Sequence, residues 1–274
     1  MGAKSPHAHP TFSQRRCAMR PFTIDAACAC HTGKVRKKNE DNFYFNGKHM
    51  EAVNRGLPQP ASFHRYIEPG LCLAVFDGMG GENFGEVAAF TAARTLQEEA
   101  SRLDSSFLPS SRFLEDLCQK MNAAVFDAAQ ELMTAHMGST MVMFCFARDR
   151  VYLCNLGDSR AFWLHKRKLT QISHDHVDIL PGDVARHRKP HLNQHLGIDP
   201  EELLIEPYIA KGDLVRGDQY LLCSDGITDM LTEQEICRIM TESRTAEGCV
   251  QALVDAALEK GGKDNITAIV CRIG

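Results

Sequence analysis

The sequence predicts an α+β domain in which antiparallel sheets pack together with helices outside, and three observations carry that reading. Apolar residues recur at three- and four-residue spacing in two successive stretches: Phe84, Val87, Ala88, Thr91, Ala92 and Leu96, then Leu114, Leu117, Met121, Ala124, Val125, Ala128 and Leu132. That is the pattern of two amphipathic helices. Short β-like runs follow, "STMVMFCFA", "RVYLCNL", "RAFWLH" and "LTQIS", separated by charged turns such as "RDR" and "HKRK" that suit hairpins, so this part reads as an antiparallel meander. Strands and helices are grouped rather than alternating, which argues against a doubly wound parallel sheet.

The remaining elements follow in order. A buried strand "LCLAVF" precedes the first helix, and a polar region with several His and Pro residues spans about 174 to 200. After it come a strand "QYLLCS", a helix beginning after Thr232, another between about 246 and 260, and a final strand "NITAIVCRI". Residues 1–20, "MGAKSPHAHPTFSQRRCAMR", are polar and aperiodic and read as a loose arm ahead of a single domain over 21–274. The opening "MGAKSP" fails the myristoylation pattern, because Pro6 stands where Ser or Thr is needed.

With 274 residues, 44% of them hydrophobic, the chain has room for a sizeable core. A net charge of −4 with no basic block gives no nucleic-acid footprint. No apolar run reaches membrane-spanning length and no secretory core opens the chain, so the expectation is a cytoplasmic monomer without membrane contact. The eleven cysteines are odd in number and sit in apolar segments such as "VMFCFA", where thiols behave as small core residues and stay reduced. The "ACACH" cluster, Cys28 to His31, is explained by alternation within a strand as well as by a soft metal.

The chemistry lies in the acids. Asp77 ends the run "LCLAVF" and is followed by Gly78, Gly80 and Gly81; Asp158 follows "VYLCNLG", Asp225 follows "YLLCS", Asp264 precedes "NITAIVCRI", and Glu40 with Asp41 precede "NFYF". One strand-end Asp has a bland explanation, as a turn residue or a helix cap. Five such places have another: if the strand ends converge at one rim, the carboxylates repel, and only cations between them relieve the repulsion. All-oxygen ligation selects Mg²⁺ or Mn²⁺ over zinc. On this reading the glycines after Asp77 clear space for a metal and a substrate.

In order and context, "VRKKNEDN", "AVFDGMGG", "GSTMVMFCF", "LGDSRAFWL", "ISHDHV", "LLCSDGITDML" and "KDNITAIV" resemble the successive motifs of the metal-dependent type 2C protein phosphatases, in particular their bacterial branch. The resemblance covers about residues 22 to 274. It implies a four-layer α/β/β/α sandwich and a hydrolase acting on phosphoserine and phosphothreonine in proteins, opposing a Ser/Thr kinase.

Residue by residue, the resemblance makes Asp77 the carboxylate shared by two metals, with the Gly78 carbonyl on one of them. Asp225 and Asp264 complete the other metal, and Glu40 with Asp41 hold the site largely through water. Asp158 and Asp229, with Asp225 again, match a third metal site, and Arg36 matches the arginine that grips the substrate phosphate. Ser224 and Asn265 are supporting residues. The implied mechanism is in-line attack by a water that two cations bridge, without a phosphoenzyme.

One departure is Met79, where animal members carry a histidine proposed as general acid, so that group is missing here. Two rival readings compete with this one. A catalytically dead scaffold of the same fold would have lost metal acids, and none is lost; an aspartyl-phosphate enzyme needs a second acid that "DGMGG" lacks. His174, His176, His187, His191 and His195 are irregularly spaced and read as flap residues rather than a zinc site. The flap segment "DILPGDVARHRKPHLNQHLGI" is short, with Pro181, Gly182 and Pro190 breaking any long helix, which predicts a more open groove. Its Arg186, Arg188 and Lys189 are expected to help recruit acidic phosphoprotein.

Overall fold

The computed structural model describes residues 20–79, 84–103, 107–134, 136–178 and 191–274. Two six-membered antiparallel arrangements dominate it. The first sheet contains β1 (Thr23–His31), β3 (Ala61–Tyr66), β8 (Arg160–His165), β9 (Lys168–Gln171), β13 (Gln219–Cys223) and β14 (Ile266–Ile273), in the order β3-β1-β14-β13-β8-β9. The second contains β2 (Asp41–Tyr44), β4 (Leu71–Met79), β6 (Met141–Phe146), β7 (Arg150–Leu156) and β12 (Tyr208–Asp213), in the order β12-β7-β6-β4-β2, with the two-residue β5 (Gly138–Ser139) paired to the end of β4. Helices α1 (Gly85–Ala100) and α2 (Ser111–Glu131) cover the second sheet; a one-turn α3 (Asp225–Thr228), α4 (Glu233–Glu242) and α5 (Ala246–Glu259) cover the first.

Three clusters of buried apolar side chains fill the three seams of this four-layer sandwich. In β6, Met141, Met143 and Cys145 point to the helices while Val142, Phe144 and Phe146 point to the other sheet. In β14, Ala268 and Val270 face the helices while Ile269, Cys271 and Ile273 face the second sheet. Both faces of the inner strands are buried, so they read as continuous apolar runs, and period two disappears from the sequence. The ten cysteines among the described residues are free thiols, nine of them buried.

Local signals fix the helix ends. Thr232 caps α4 through a reciprocal box with Glu235, which is why the pattern starts there. Ser110 and Thr245 cap α2 and α5 with one side-chain bond each, accepting from the Phe113 and Gly248 N–H groups. Phe84, which fits the helical spacing, lies just outside α1 as a left-handed cap residue with φ 76°. Small residues Ala88, Ala89, Ala92 and Ala93 line the buried side of α1 and let its axis approach β2 and β4 closely.

The meander expected over β6 to β9 is corrected. The β6–β7 and β8–β9 hairpins exist, but they belong to different sheets, and the chain crosses between sheets at Gly157–Asp158–Ser159. Gly157 turns this corner with φ 99°, and a Cβ there would lie 2.8 Å from the Thr140 side chain. The true hairpin turn at Lys166 and Arg167 uses two positive-φ residues.

Much of the described part of the 174–200 region is pinned. The short strands β10 (Val177–Asp178) and β11 (His191–Leu192) pair with each other, and Leu196 bridges to Ser139. Asn122 of α2, 1% exposed, donates to the Ile198 carbonyl and accepts from the Gly197 and Ile198 N–H groups. Residues 1–19, Gly80 and Gly81, and Pro181, Gly182, Arg186, His187, Arg188, Lys189 and Pro190 lie outside the described residues. Among the described residues no helix is long and apolar enough to cross a membrane.

Asn122→Ala strands two backbone donors and one acceptor in this buried setting. The expected loss of stability is about 2 to 4 kcal/mol in a urea denaturation midpoint series. A change under about 0.5 kcal/mol would mean that water replaces the amide.

Candidate active site

The acids converge because every chain segment that carries one ends at the same rim. Asp41 opens β2 and stands directly opposite Asp77, near the end of β4, in the antiparallel register. Asp225 starts α3 where β13 ends, Asp264 immediately precedes Asn265 and β14, and Asp158 sits at the crossover between sheets. Asp77, Asp41, Asp225, Asp158 and Asp264 are close enough for each of the other four to raise the Asp77 pKa.

Hydroxyl and amide side chains hold this arrangement. Ser224 Oγ donates to Asp41 Oδ2 at 2.7 Å and accepts from the Thr267 N–H at 3.0 Å, tying β2 of one sheet to β14 of the other. Asn265 uses its whole amide: Oδ1 accepts from the Glu40 N–H at 2.8 Å, and Nδ2 donates to the carbonyls of Thr32 and Lys38 at 2.8 and 2.9 Å. On the other side, Thr140 Oγ1 accepts from the Asp77 N–H at 3.2 Å and is 2.7 Å from Ser159 Oγ. Asp77 is thereby fixed through its backbone, leaving its carboxylate to the cluster.

The glycine next to Asp77 has a reason that the sequence did not reveal. A Cβ on Gly78 would lie 2.0 Å from the Gly85 carbonyl oxygen and 2.5 Å from that of Glu40. Its N–H donates to that Glu40 oxygen at 3.0 Å. Gly78 therefore permits three backbone segments, from β4, α1 and the turn before β2, to meet at the rim. Gly226, whose Cβ would be 1.9 Å from the Asn265 carbonyl, does the same for α3.

Burial, then neighbouring carboxylates, push the Asp77 pKa well above the usual range. Burial also drives Asp41 up to about 7, against the hydrogen bonds from Thr267 and Ser224 that favour its charged form. Glu40 is raised by burial and by Glu86, with Arg36 and Lys38 acting the other way. Arg36, its side chain 46% exposed, donates from Nη2 to Asp264 Oδ2 at 2.8 Å and lies 3.9 Å from Glu40. Asp229 is exposed, at the far end of the turn that Asp225 opens.

The donor set fits hard divalent cations. Asp41 is 1% exposed, and its Oδ1 has no hydrogen-bond donor. The converging groups are carboxylates, with neither His nor Cys among them, as Mg²⁺ and Mn²⁺ prefer. Among the described residues, no three His, Cys, Asp or Glu side chains close on one point in ligand geometry, so the acids meet as a charged rim rather than a finished cage.

Sequence reasoning missed Thr140, Ser159 and Thr267 as supports, although all three lie inside the quoted motifs. It also left unexplained the acid of "ISHDHV". Asp175 takes a two-nitrogen grip from Arg160, with Nε and Nη2 at 2.9 and 2.6 Å from Oδ2, and joins the crossover to the segment after β9. Cys30 is a core thiol whose Sγ accepts from Asn39 and Thr267, with its pKa pushed up to about 12 by burial.

The family model for protein phosphatase 2C matches residues 53–260. The chain is 28% identical over 253 residues to the serine/threonine phosphatase stp of Listeria monocytogenes, covering 87% of this chain and 91% of that protein. It is 32% identical over 237 residues to the serine/threonine protein phosphatase PstP of Mycobacterium tuberculosis, covering 80% of this chain and 44% of that protein. Among solved structures, PppA, described as a key regulatory component of T6SS in Pseudomonas aeruginosa, superposes with TM-score 0.73 at 26% identity, over 92% of this chain and 98% of that one. The catalytic domain of PstP in complex with two manganese ions superposes with TM-score 0.69 at 27% identity, over 92% and 99%.

Fold and site together define a phosphatase of the metal-dependent class. The chain belongs to the protein phosphatase 2C family.

The raised carboxylate pKa values set a sign for stability. An acid whose pKa rises on folding contributes fully below its unfolded value, and that contribution is lost as pH climbs through the folded value. The Tm of chelated protein is therefore expected to fall between about pH 4, the unfolded carboxylate range, and about pH 7, the Asp41 value. Added Mn²⁺ should recover more of the loss at the upper end, since ligands must be deprotonated to bind. Scanning calorimetry of wild type and Asp41→Asn, with a flatter profile in the variant, checks it.

Proposed function

We propose that this phosphatase hydrolyses phosphoserine and phosphothreonine monoesters on proteins at the acid rim, opposing a Ser/Thr kinase. The observation that carries the reading is the convergence of Asp41, Asp77, Asp158, Asp225 and Asp264, strong enough for the other four to weigh on the Asp77 pKa. The serine/threonine phosphatases among its relatives, and the two manganese ions named with the PstP domain, support the same assignment.

Asp77, the Gly78 carbonyl, Asp225 and Asp264 would hold two Mn²⁺ or Mg²⁺ ions, with Glu40 and Asp41 reaching them through water, and Asp158 and Asp229 available to a third. When bound, the cations supply Lewis acidity, lowering the pKa of water at the site and offsetting charge on phosphoryl oxygens. The protein supplies position. Ser224 and Asn265 fix Asp41 and the Glu40 backbone, so the carboxylates keep their spacing when charged. Arg36 sits at the edge of the cluster with its guanidinium partly free of solvent, where its planar donors can take two phosphoryl oxygens. Met79 follows Gly78 and has no proton to give, so the leaving serine or threonine oxygen takes its proton from water.

Purified protein is expected to hydrolyse p-nitrophenyl phosphate and phosphothreonine peptides with Mn²⁺ or Mg²⁺ and to lose turnover on exhaustive chelation. Full activity after chelation would overturn the assignment. Asp77→Asn should remain folded by circular dichroism and lose at least about a hundredfold in kcat, the order expected for one main electrostatic element. In titrations with Mn²⁺, Asp264→Ala should weaken binding at the two-metal core more than Asp158→Ala does.

A further inference from the structure

Beside the acid rim, a second pocket of about 220 Å³, mixed in its lining, opens between the β1–β2 connection and the chain ahead of β3. Lys37, Lys38 and Asn39 form one side, Asn54 and Arg55 another, and Glu86 of α1 contributes a third wall. The pocket is built rather than incidental. Asn39 is 2% exposed, and its Nδ2 donates to Asn54 Oδ1 at 2.7 Å; that oxygen also accepts from the Gly56 N–H at 2.9 Å. Asn54 Nδ2 in turn donates to the Glu51 carbonyl at 2.9 Å.

Its charge is unbalanced. Glu86, the one carboxylate among the lining residues, is bound by Lys38 Nζ at 2.8 Å. Lys37 and Arg55 are exposed, and among the described residues neither is engaged in an ion pair. In a chain of net charge −4, two uncommitted cations on one small pocket are a local feature, not the general character of the surface. A peptide carrying an acidic side chain brings the missing complement, a carboxylate for the two cations.

Position links the pocket to the chemistry. Arg36 and Lys37 are consecutive, so their Cα atoms are about 3.8 Å apart. Asn265 holds the Lys38 carbonyl with one end of its amide and the Glu40 N–H with the other, which fixes the pocket wall and the acid rim as one unit. A phosphoprotein segment whose phosphoryl group reaches Arg36 can therefore bring a flanking side chain to the pocket.

We propose that this pocket is a specificity subsite that receives an acidic side chain flanking the phosphorylated residue, with Lys37 and Arg55 as its carboxylate partners. The proposal rests on the phosphatase reading above, and the experiment separates the two. Steady-state kinetics with Mn²⁺ would compare wild type with the Lys37→Glu/Arg55→Glu and Lys37→Gln/Arg55→Gln double variants. Each would be assayed on p-nitrophenyl phosphate and on two phosphothreonine peptides, one flanked by Glu and Asp and one by Gln and Asn, at low and high salt.

Wild type is expected to favour the acidic peptide by about tenfold in kcat/KM, and both variants to lose that preference through KM, with p-nitrophenyl phosphate turnover within about twofold of wild type. The preference should shrink at high salt, as exposed charges are screened. Equal use of both peptides by wild type, or a preference that survives in the variants, would overturn the subsite. Equal losses on all three substrates in the milder Gln variant would do so too, by placing these residues in support of the site itself. Absence of p-nitrophenyl phosphate turnover in wild type would overturn the phosphatase reading and the subsite with it.

Discussion

Asp41, buried, and Asp77, half-buried, face each other across paired strands, and the mutual repulsion of such carboxylates is the constraint that the surrounding structure must answer. A single loop could not hold them. The two sheets do so because β2 and β4 come from one and β13 and β14 from the other, so each acid is anchored in a separate rigid strand or at its end. Ser224 and Asn265 then stitch the sheets together at the rim. The glycines remove side chains where backbones must touch. Charge is thus stored in the scaffold, ready for a counter-charge that the protein itself provides only in part, through Arg36.

The acids were legible in the sequence because each interrupts or borders a run of buried apolar residues, an environment in which an ionisable group stands out. The inner strands were legible for the same reason, since burial on both faces leaves no polar position within "VMFCF" or "IVC". Sheet membership was not. A hairpin turn and a corner between sheets are both short and polar, and nothing in "GDS" distinguishes the crossover after β7 from the turn after β8. The edge strands β3 and β12 escaped notice because their exposed residues, such as His64, Arg65 and Lys211, dilute the apolar signal. The turn α3 is four residues long, too short for a helical period to show.

The glycines of "DGMGG" illustrate a further limit. Their clustering signals that something needs room, yet sequence cannot say whether that is a ligand or another stretch of chain. At Gly78 it is the carbonyls of Gly85 and Glu40. The same ambiguity hid the Lys38–Glu86 pair, whose partners lie 48 positions apart and have no shared motif.

The strand that carries Asp264 into the site also has a consequence for how the molecule assembles. β14 lies between β1 and β13, at the heart of its sheet, and its partner β1 comes from the opposite end of the sequence. Joining them closes a loop that spans nearly the whole described chain, a pairing of high sequence separation that costs more chain entropy than the local hairpins do. That same strand brings Asp264 and Asn265 to the rim, where the Asn265 amide holds the turn before β2. A chain without its last strand therefore lacks the amide that Asn265 lends to the Thr32 and Lys38 carbonyls and to the Glu40 N–H. The rim is thus framed by strands from both ends of the described chain, and its geometry is a property of the whole fold rather than of any one contiguous segment.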